Sequence, residues 1–332
     1  MTTLERLFDP RPTFDEPIAL GALVIIAAAL VLTPLLAIFL RKRGAISEKL
    51  ADELMVRTKS WAIIVPLVIG PILLGAFWAM AMVLAIALLC YVEYARMVGL
   101  FRERRVSWTV LLGIVMVHFA ALDHWYGLFV ALGPLIMVTI AAVALTCDEP
   151  KGYVQRVALA VLGFFLFGVC LGHMAYFANS HLYRSLLLLL LLGVALNDVY
   201  AFTFGKLFGK RKLCPNTSPN KTVAGAVGAL VGTTLTVTLL GLLVLPGAQE
   251  MRWPHLVFAG IMLSVCGQLG DLMLSAIKRD VGLKDTGTLL PGHGGLLDRA
   301  DSLLLAAPAA FHLVGFFEGV GLDMPTHILT GG

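Results

Sequence analysis

Charge is scarce in this sequence. Only 14% of its 332 residues are Asp, Glu, Lys or Arg, where soluble domains carry about one quarter. With 59% hydrophobic residues and a mean hydropathy of +0.89, the chain cannot clothe its surface in polar atoms. A water-soluble globule is excluded, and lipid is the expected solvent. Cysteine is sparse too: Cys90, Cys147, Cys170, Cys214 and Cys266 stand apart with no CxxC pair. That argues against a disulfide framework or a zinc site and for small buried hydrophobes. No repeat with a period of about 20–50 residues is present. The one biased tract, Leu186–Leu192, is ordinary span material. Residues 1–16 are polar and no small-residue cleavage site follows the first apolar run, so no cleavable signal peptide is expected.

What the chain does have is apolar runs. Pro17–Leu40 carries no charge and is long enough to cross a hydrocarbon core of about 30 Å. Nine further candidates follow: Trp61–Gly75, Ala76–Val98, Trp108–Leu122, Tyr126–Thr146, Val157–Ala178, Ser185–Phe204, Val223–Leu245, Leu256–Ile277 and Ser302–Val320. Glu48–Lys59 mixes charged and apolar residues and suggests an interfacial amphipathic turn or two. Gly70-Pro71 and Gly75 suggest a tight reversal before Ala76.

The basic residues test that count. If Arg41–Arg43 faces the cytoplasm, twenty basic residues fall in inside loops at 41–59, 102–105, 151–156, 206–221 and 278–299. Four (Arg6, Arg11, Arg184 and Arg252) fall outside. Such an asymmetry supports the ten spans and places both termini outside. The expectation is an all-α, polytopic integral membrane helical bundle with about ten transmembrane helices. A polar lead at 1–16 precedes a scaffold at 17–184. A catalytic region at 185–320 carries cytosolic loops 205–222 and 278–301, and 321–332 forms a tail. Gly168-xxx-Gly172 and Gly228-xxx-Gly232 put small residues on one helix face and predict close packing.

Chemistry concentrates between Gly270 and Asp301. Asp271 sits about two turns from the inner end of its span, and ionisable groups at that depth face a cavity or a partner. The bland alternative is a carboxylate paired with a base such as Lys278. Asp298 and Asp301 are three residues apart and share a helix face. If Asp271 joins them, three oxygen donors beside phosphate binders describe a magnesium site. Lys278, Arg279, Lys284 and Arg299 bracket the loop. Gly292-His293-Gly294-Gly295 allows backbone to approach an anion, and His293 can donate to a phosphate oxygen.

A supporting segment runs from Asn197 and Asp198 to Gly232. Gly205–Lys212 does not match a Walker A loop, because Gly205 and Gly209 are one residue too close and Arg211 follows Lys210. A membrane-anchoring basic cluster is the plainer reading. Ser218-Pro219 with Thr222 reads as a helix start with an anion-favouring N-terminus.

At these residues the chain resembles the phosphatidate cytidylyltransferases, or CDP-diacylglycerol synthases. The resemblance rests on Ser275, Lys278-Arg279, Lys284-Asp285, Pro291-Gly292-His293-Gly294-Gly295 and Asp298-Arg299-Ala300-Asp301. These match S-x-x-K-R-x4-K-D-x5-P-G-H-G-G-x2-D-R-x-D at every fixed position. Ser218-Pro219-Asn220-Lys221-Thr222 with Gly225 resembles a second motif, SPxKTxEG. There the family usually has Glu where this chain has Ala224, the mark of a divergent paralogue.

The resemblance implies CTP and phosphatidate as substrates, giving CDP-diacylglycerol and pyrophosphate at the inner membrane's cytoplasmic face. It implies Mg²⁺ on Asp271 and Asp298, with room for a second cation. It implies catalytic roles for Asp271, Lys278, Arg279, Lys284, Asp285, His293, Asp298, Arg299 and Asp301. Substrate contacts would come from Asn197, Asp198, Ser218, Lys221, Thr222, Ser275, Gly294 and Gly295. Membrane lipids are the surroundings, a homodimer is compatible, and nucleic acid is not expected. Two alternatives remain at this point. One keeps the chemistry on another lipid phosphate, of isoprenoid type. The other is an ion-coupled transporter with Asn197, Asp198 and Asp271 lining a pathway, against which stands the lack of repeated halves.

Overall fold

A computed structural model of the chain describes residues 3–11, 17–44, 47–244, 253–287, 294–318 and 327–331. Apolar runs in lipid must satisfy their own backbone groups, so they become helices. The helices are α1 Thr3–Phe8, α2 Pro17–Lys42, α3 Glu48–Leu74, α4 Ala76–Met97, α5 Arg104–Leu122, α6 Tyr126–Leu145, α7 Tyr153–Ala178, α8 Tyr183–Phe208, α9 Val223–Val244, α10 Trp253–Asp280 and α11 Leu297–Glu318. Among the described residues, α4 to α10 are seven helices long and apolar enough to cross a membrane. The remaining candidate spans lie in α2, α3 and α11, which are helical as well. The protein is an all-α polytopic membrane bundle.

Three local expectations change. The interfacial segment at 48–59 and the span after it form one continuous helix, α3, with Pro66 and Pro71 inside it. The chain therefore reverses at Gly75 alone, whose φ of 149° suits glycine, and where a Cβ would run into the backbone of Leu7. Ser218–Thr222 is not a helix start. It is strand β2, paired antiparallel with β1, Lys212–Cys214. Helix α9 begins only at Val223, and the Thr222 hydroxyl oxygen accepts the Gly225 N–H at 3.1 Å, acting as the cap. Pro219 fits this short ribbon because a two-stranded sheet has only edges.

The glycine spacings do pack helices together. A Cβ on Gly172 would collide with Val117 and Phe129, and one on Gly232 with the Tyr200 ring. The core centres on α4, α5, α7 and α11, where Tyr91, Tyr94, Phe167, Tyr176 and Phe311 are buried. In α7 the stretch Phe164–Cys170 widens to a π-helix.

Contacts between distant segments sort into two ends of the bundle. At one end α1 lies on Gly75, Arg184 donates to the Asp9 carbonyl at 3.0 Å, and Asn179 donates to the Ala121 carbonyl at 2.7 Å. Residues 327–331, from the expected tail, dock there on Asp123 in the α5–α6 turn. The other end gathers the late part of α4, the β-ribbon, and the facing ends of α10 and α11.

Candidate active site

Helix α10 presents Asp271, Ser275 and Lys278 at i, i+4 and i+7, a single stripe. Helix α11 presents Asp298 and Asp301 at i and i+3. The two helices are antiparallel and nearly touch at Gly270, where a Cβ would stand 2.5 Å from the Asp301 carbonyl oxygen. That register faces Asp301 toward Asp271 and Asp298 toward Lys278, in two layers about 4.5 Å apart along α11.

In the layer nearer the loop, Lys278 donates to Asp298 Oδ1 at 2.7 Å. Asp298 Oδ2 accepts from the Thr286 N–H at 2.9 Å, the Thr286 hydroxyl at 3.0 Å and the Gly295 N–H at 3.0 Å. Both oxygens are therefore engaged, and the side chain is 7% exposed. Gly294 has φ 80°, and a Cβ there would stand 2.9 Å from Asp298 Oδ2. Here glycine is required twice over, by conformation and by space.

In the second layer, Asp271 Oδ2 is paired with Lys221 Nζ at 2.5 Å, and Oδ1 accepts from the Ser275 hydroxyl at 3.3 Å. Asp301 is buried and accepts its neighbour Ser302's N–H at 2.7 Å. Asp198, Asp271 and Asp301 lie within electrostatic reach of one another, and Asp198 also feels Lys221 and Arg299. The partner considered for Asp271 from sequence, Lys278, is thus bound to Asp298 instead. Helix register puts Lys278 opposite the start of α11, while β2 delivers Lys221 to Asp271.

The other expected residues sort around these layers. Asn197 is fully buried, and its Oδ1 accepts from Ser264 at 2.6 Å and Thr233 at 3.1 Å, tying α8, α9 and α10 together beneath the acidic cluster. Arg279 donates to the Thr217 and Leu283 carbonyls at 3.4 and 2.9 Å, bracing ribbon against loop. Lys284, Asp285 and Arg299 are exposed at the same end. Ser218 pairs across the ribbon with Cys214, and Thr222 caps α9. Pro291, Gly292 and His293 lie outside the described residues.

Glu93 was not singled out from sequence. From α4 it accepts the N–H groups of Leu296 at 3.1 Å and Leu297 at 2.9 Å, where α11 begins. A charge inside the run Ala76–Val98 was the available signal.

Among the described residues, no three side chains of ligand type are gathered closely enough to hold a metal by themselves. The donors fit magnesium in another way. That ion usually takes one or two carboxylates and completes its shell with waters and substrate phosphates. Carboxylates beside lysine side chains, at one end of the bundle, suit that kind of site and not an all-protein cage.

Residues 55–317 match the sequence model of the cytidylyltransferase family. The chain belongs to this family. Cytidylyl transfer is nucleotidyl transfer, so this cytidylyltransferase falls in the nucleotidyltransferase class. It is 30% identical over 301 residues to the Escherichia coli protein named uncharacterized protein YnbB, covering 89% of this chain and 98% of that one. It is 44% identical over 121 residues to the phosphatidate cytidylyltransferase of Bacillus subtilis, covering 36% of this chain and 44% of that one. With the phosphatidate cytidylyltransferase of Staphylococcus saprophyticus it shares 44% over 147 residues, covering 42% of this chain and 55% of the other. The chain therefore spans about half the length of these two relatives. Likeness along nearly a whole length to one protein, and over part of the length to others, is the pattern of a divergent paralogue.

Proposed function

We propose that this cytidylyltransferase transfers the CMP moiety of CTP to the phosphate of phosphatidate, giving CDP-diacylglycerol and pyrophosphate. The observation that carries the reading is the double ionic layer between α10 and α11, Lys221 on Asp271 and Lys278 on Asp298. The relatives named phosphatidate cytidylyltransferase support the choice of lipid.

A phosphate monoester has a second pKa of about 6 and is mostly dianionic at neutral pH. The attacking oxygen needs no general base. Its difficulty is repulsion by the triphosphate, so the site must neutralise charge and align the attack. A phosphatidate oxygen bonds to the α-phosphorus of CTP as the bond to the β-phosphate oxygen breaks and pyrophosphate leaves. Lys221, Lys278, Arg279, Lys284 and Arg299 share the phosphate charge. Lys221 and Lys278 can do so because their carboxylate partners stand ready to exchange them. Asp271 and Asp298 would hold Mg²⁺, which supplies electrostatic stabilisation of phosphate oxygens when bound. Asp301 and Asp285 orient the basic shell around them. The site faces the cytoplasm, where CTP arrives from water and the lipid headgroup from the bilayer.

The test is incorporation of radiolabelled CTP into lipid by the purified protein, over a panel of phosphatidate and isoprenoid phosphate acceptors. Label appearing in CDP-diacylglycerol is the expected result. Label only on an isoprenoid acceptor, or on none, overturns the assignment.

A further inference from the structure

Glu93 reaches across the chain to Thr286 and to the start of α11. Leu296, which it binds, lies 203 residues away in sequence. The first N–H groups of a helix have no partner inside it. Here two of them, from Leu296 and Leu297, end on the two oxygens of one carboxylate. Glu93 Oε2 also faces the Thr286 hydroxyl at 3.3 Å, and the same hydroxyl lies 3.0 Å from Asp298 Oδ2. Its single proton is thus shared between two carboxylates. The backbone wraps closely around Glu93: a Cβ on Gly295 would stand 2.6 Å from Oε2, and one on Gly287 3.1 Å from Oε1.

We infer that Glu93 is a positioning residue for the transfer reaction, holding Thr286 and the first turn of α11 so that Asp298 and Lys278 stand in working register. This rests on the proposed transferase activity. Glu93 contacts the loop and the helix start, and it acts on the reaction only through them. The N-terminal half of the bundle then takes part in the active site through one side chain, beyond its role as scaffold. The geometry also explains the glycines on either side of the loop, because side chains at 287 or 295 would push the carboxylate away.

The experiment compares wild type, Glu93→Gln and Thr286→Ala as full-length proteins in lipid nanodiscs. Wild type is assayed first: if it labels no acceptor, the transferase reading fails, and amide exchange alone then judges the contact. Glu93→Gln keeps the size of the side chain but sets an NH₂ against a backbone N–H. Expected are at least tenfold faster hydrogen exchange at Leu296 and Leu297, and at least a tenfold fall in kcat per folded molecule. KM for the lipid should stay within about twofold. Thr286→Ala should lower kcat in the same way, and the double variant should be no worse than the poorer single one, because coupled residues are not additive. Unchanged exchange in Glu93→Gln overturns the inference. So does a lowered melting temperature with kcat within twofold of wild type, which would mark a purely structural cap. If Glu93→Gln does not fold, a Thr286→Ala variant with unchanged kcat overturns it alone.

Discussion

Lys221 on strand β2 sets its ammonium 2.5 Å from the carboxylate of Asp271 on α10, with side-chain exposures of 23% and 26%. The pair joins the two motif segments, one before α9 and one at the end of α10. Each side chain is about three-quarters shielded from solvent, so each charge depends on the other until an anionic substrate offers a replacement.

Exchange of Asp271 for Asn should therefore reduce labelled-CTP incorporation by at least a hundredfold while the protein still elutes as a folded species in detergent. Lys221→Met should lose a similar factor, mostly in kcat. A Lys221→Met enzyme within threefold of wild type would show that the ammonium serves only as a structural counter-ion.

Asp298 predicts a different phenotype. It takes Lys278 on one oxygen and three loop donors on the other. Asp298→Ala leaves a buried lysine unpaired, a change that costs about 3–5 kcal/mol. Both activity and melting temperature should fall, and hydrogen exchange should speed up at the Thr286 and Gly295 amides, which lose their acceptor. Asp271→Asn should leave those two amides protected.

Magnesium dependence is the prediction of the proposed carboxylate pair, Asp271 and Asp298. Chelation with EDTA should abolish turnover, and Mg²⁺ should restore it. Turnover that survives exhaustive chelation would remove the ion from the proposal.

Gly270 tests the helix contact. A Cβ there would press on the Asp301 carbonyl at 2.5 Å, and backbone cannot yield as a flexible side chain can. Gly270→Val should destabilise the protein by roughly 1–3 kcal/mol and lower activity, read by thermal unfolding in detergent.

The opposite end gives a pH prediction. Burial alone would raise the Asp123 pKa. Hydrogen bonds from the Thr330 hydroxyl and the Leu329 and Thr330 N–H groups outweigh it and hold the pKa below its ordinary value. A depressed carboxylate stabilises the folded form above the unfolded pKa of about 3.9, and the contribution is lost as pH falls through the folded value. Docking of residues 327–331 should weaken below about pH 4. His327 stacks on Trp125 with ring centroids 4.8 Å apart, so tryptophan fluorescence reports the release. Asp123→Asn should release the segment at neutral pH.

Hydropathy and loop charge were enough to establish a helical membrane protein, and the Gly270–Asp301 motif was enough to point to its family. These are properties of neighbouring residues along the chain, and lipid admits few backbone solutions for a long apolar run. The same local reasoning misread Ser218–Thr222. A Ser-Pro pair suits a helix start, but pairing with Lys212–Cys214 claims the segment first.

The sequence by itself determined which residues bear charge and that α10 and α11 carry them on single faces. Only the tertiary structure decided who meets whom: Lys221 with Asp271, Lys278 with Asp298, and Glu93 with the start of α11. Such partners depend on how helices are ordered, rotated and slid against one another, and close contacts such as Gly270 on Asp301 set that register. No local pattern encodes it, because an ion pair's energy depends on a few ångströms of separation between segments distant in sequence.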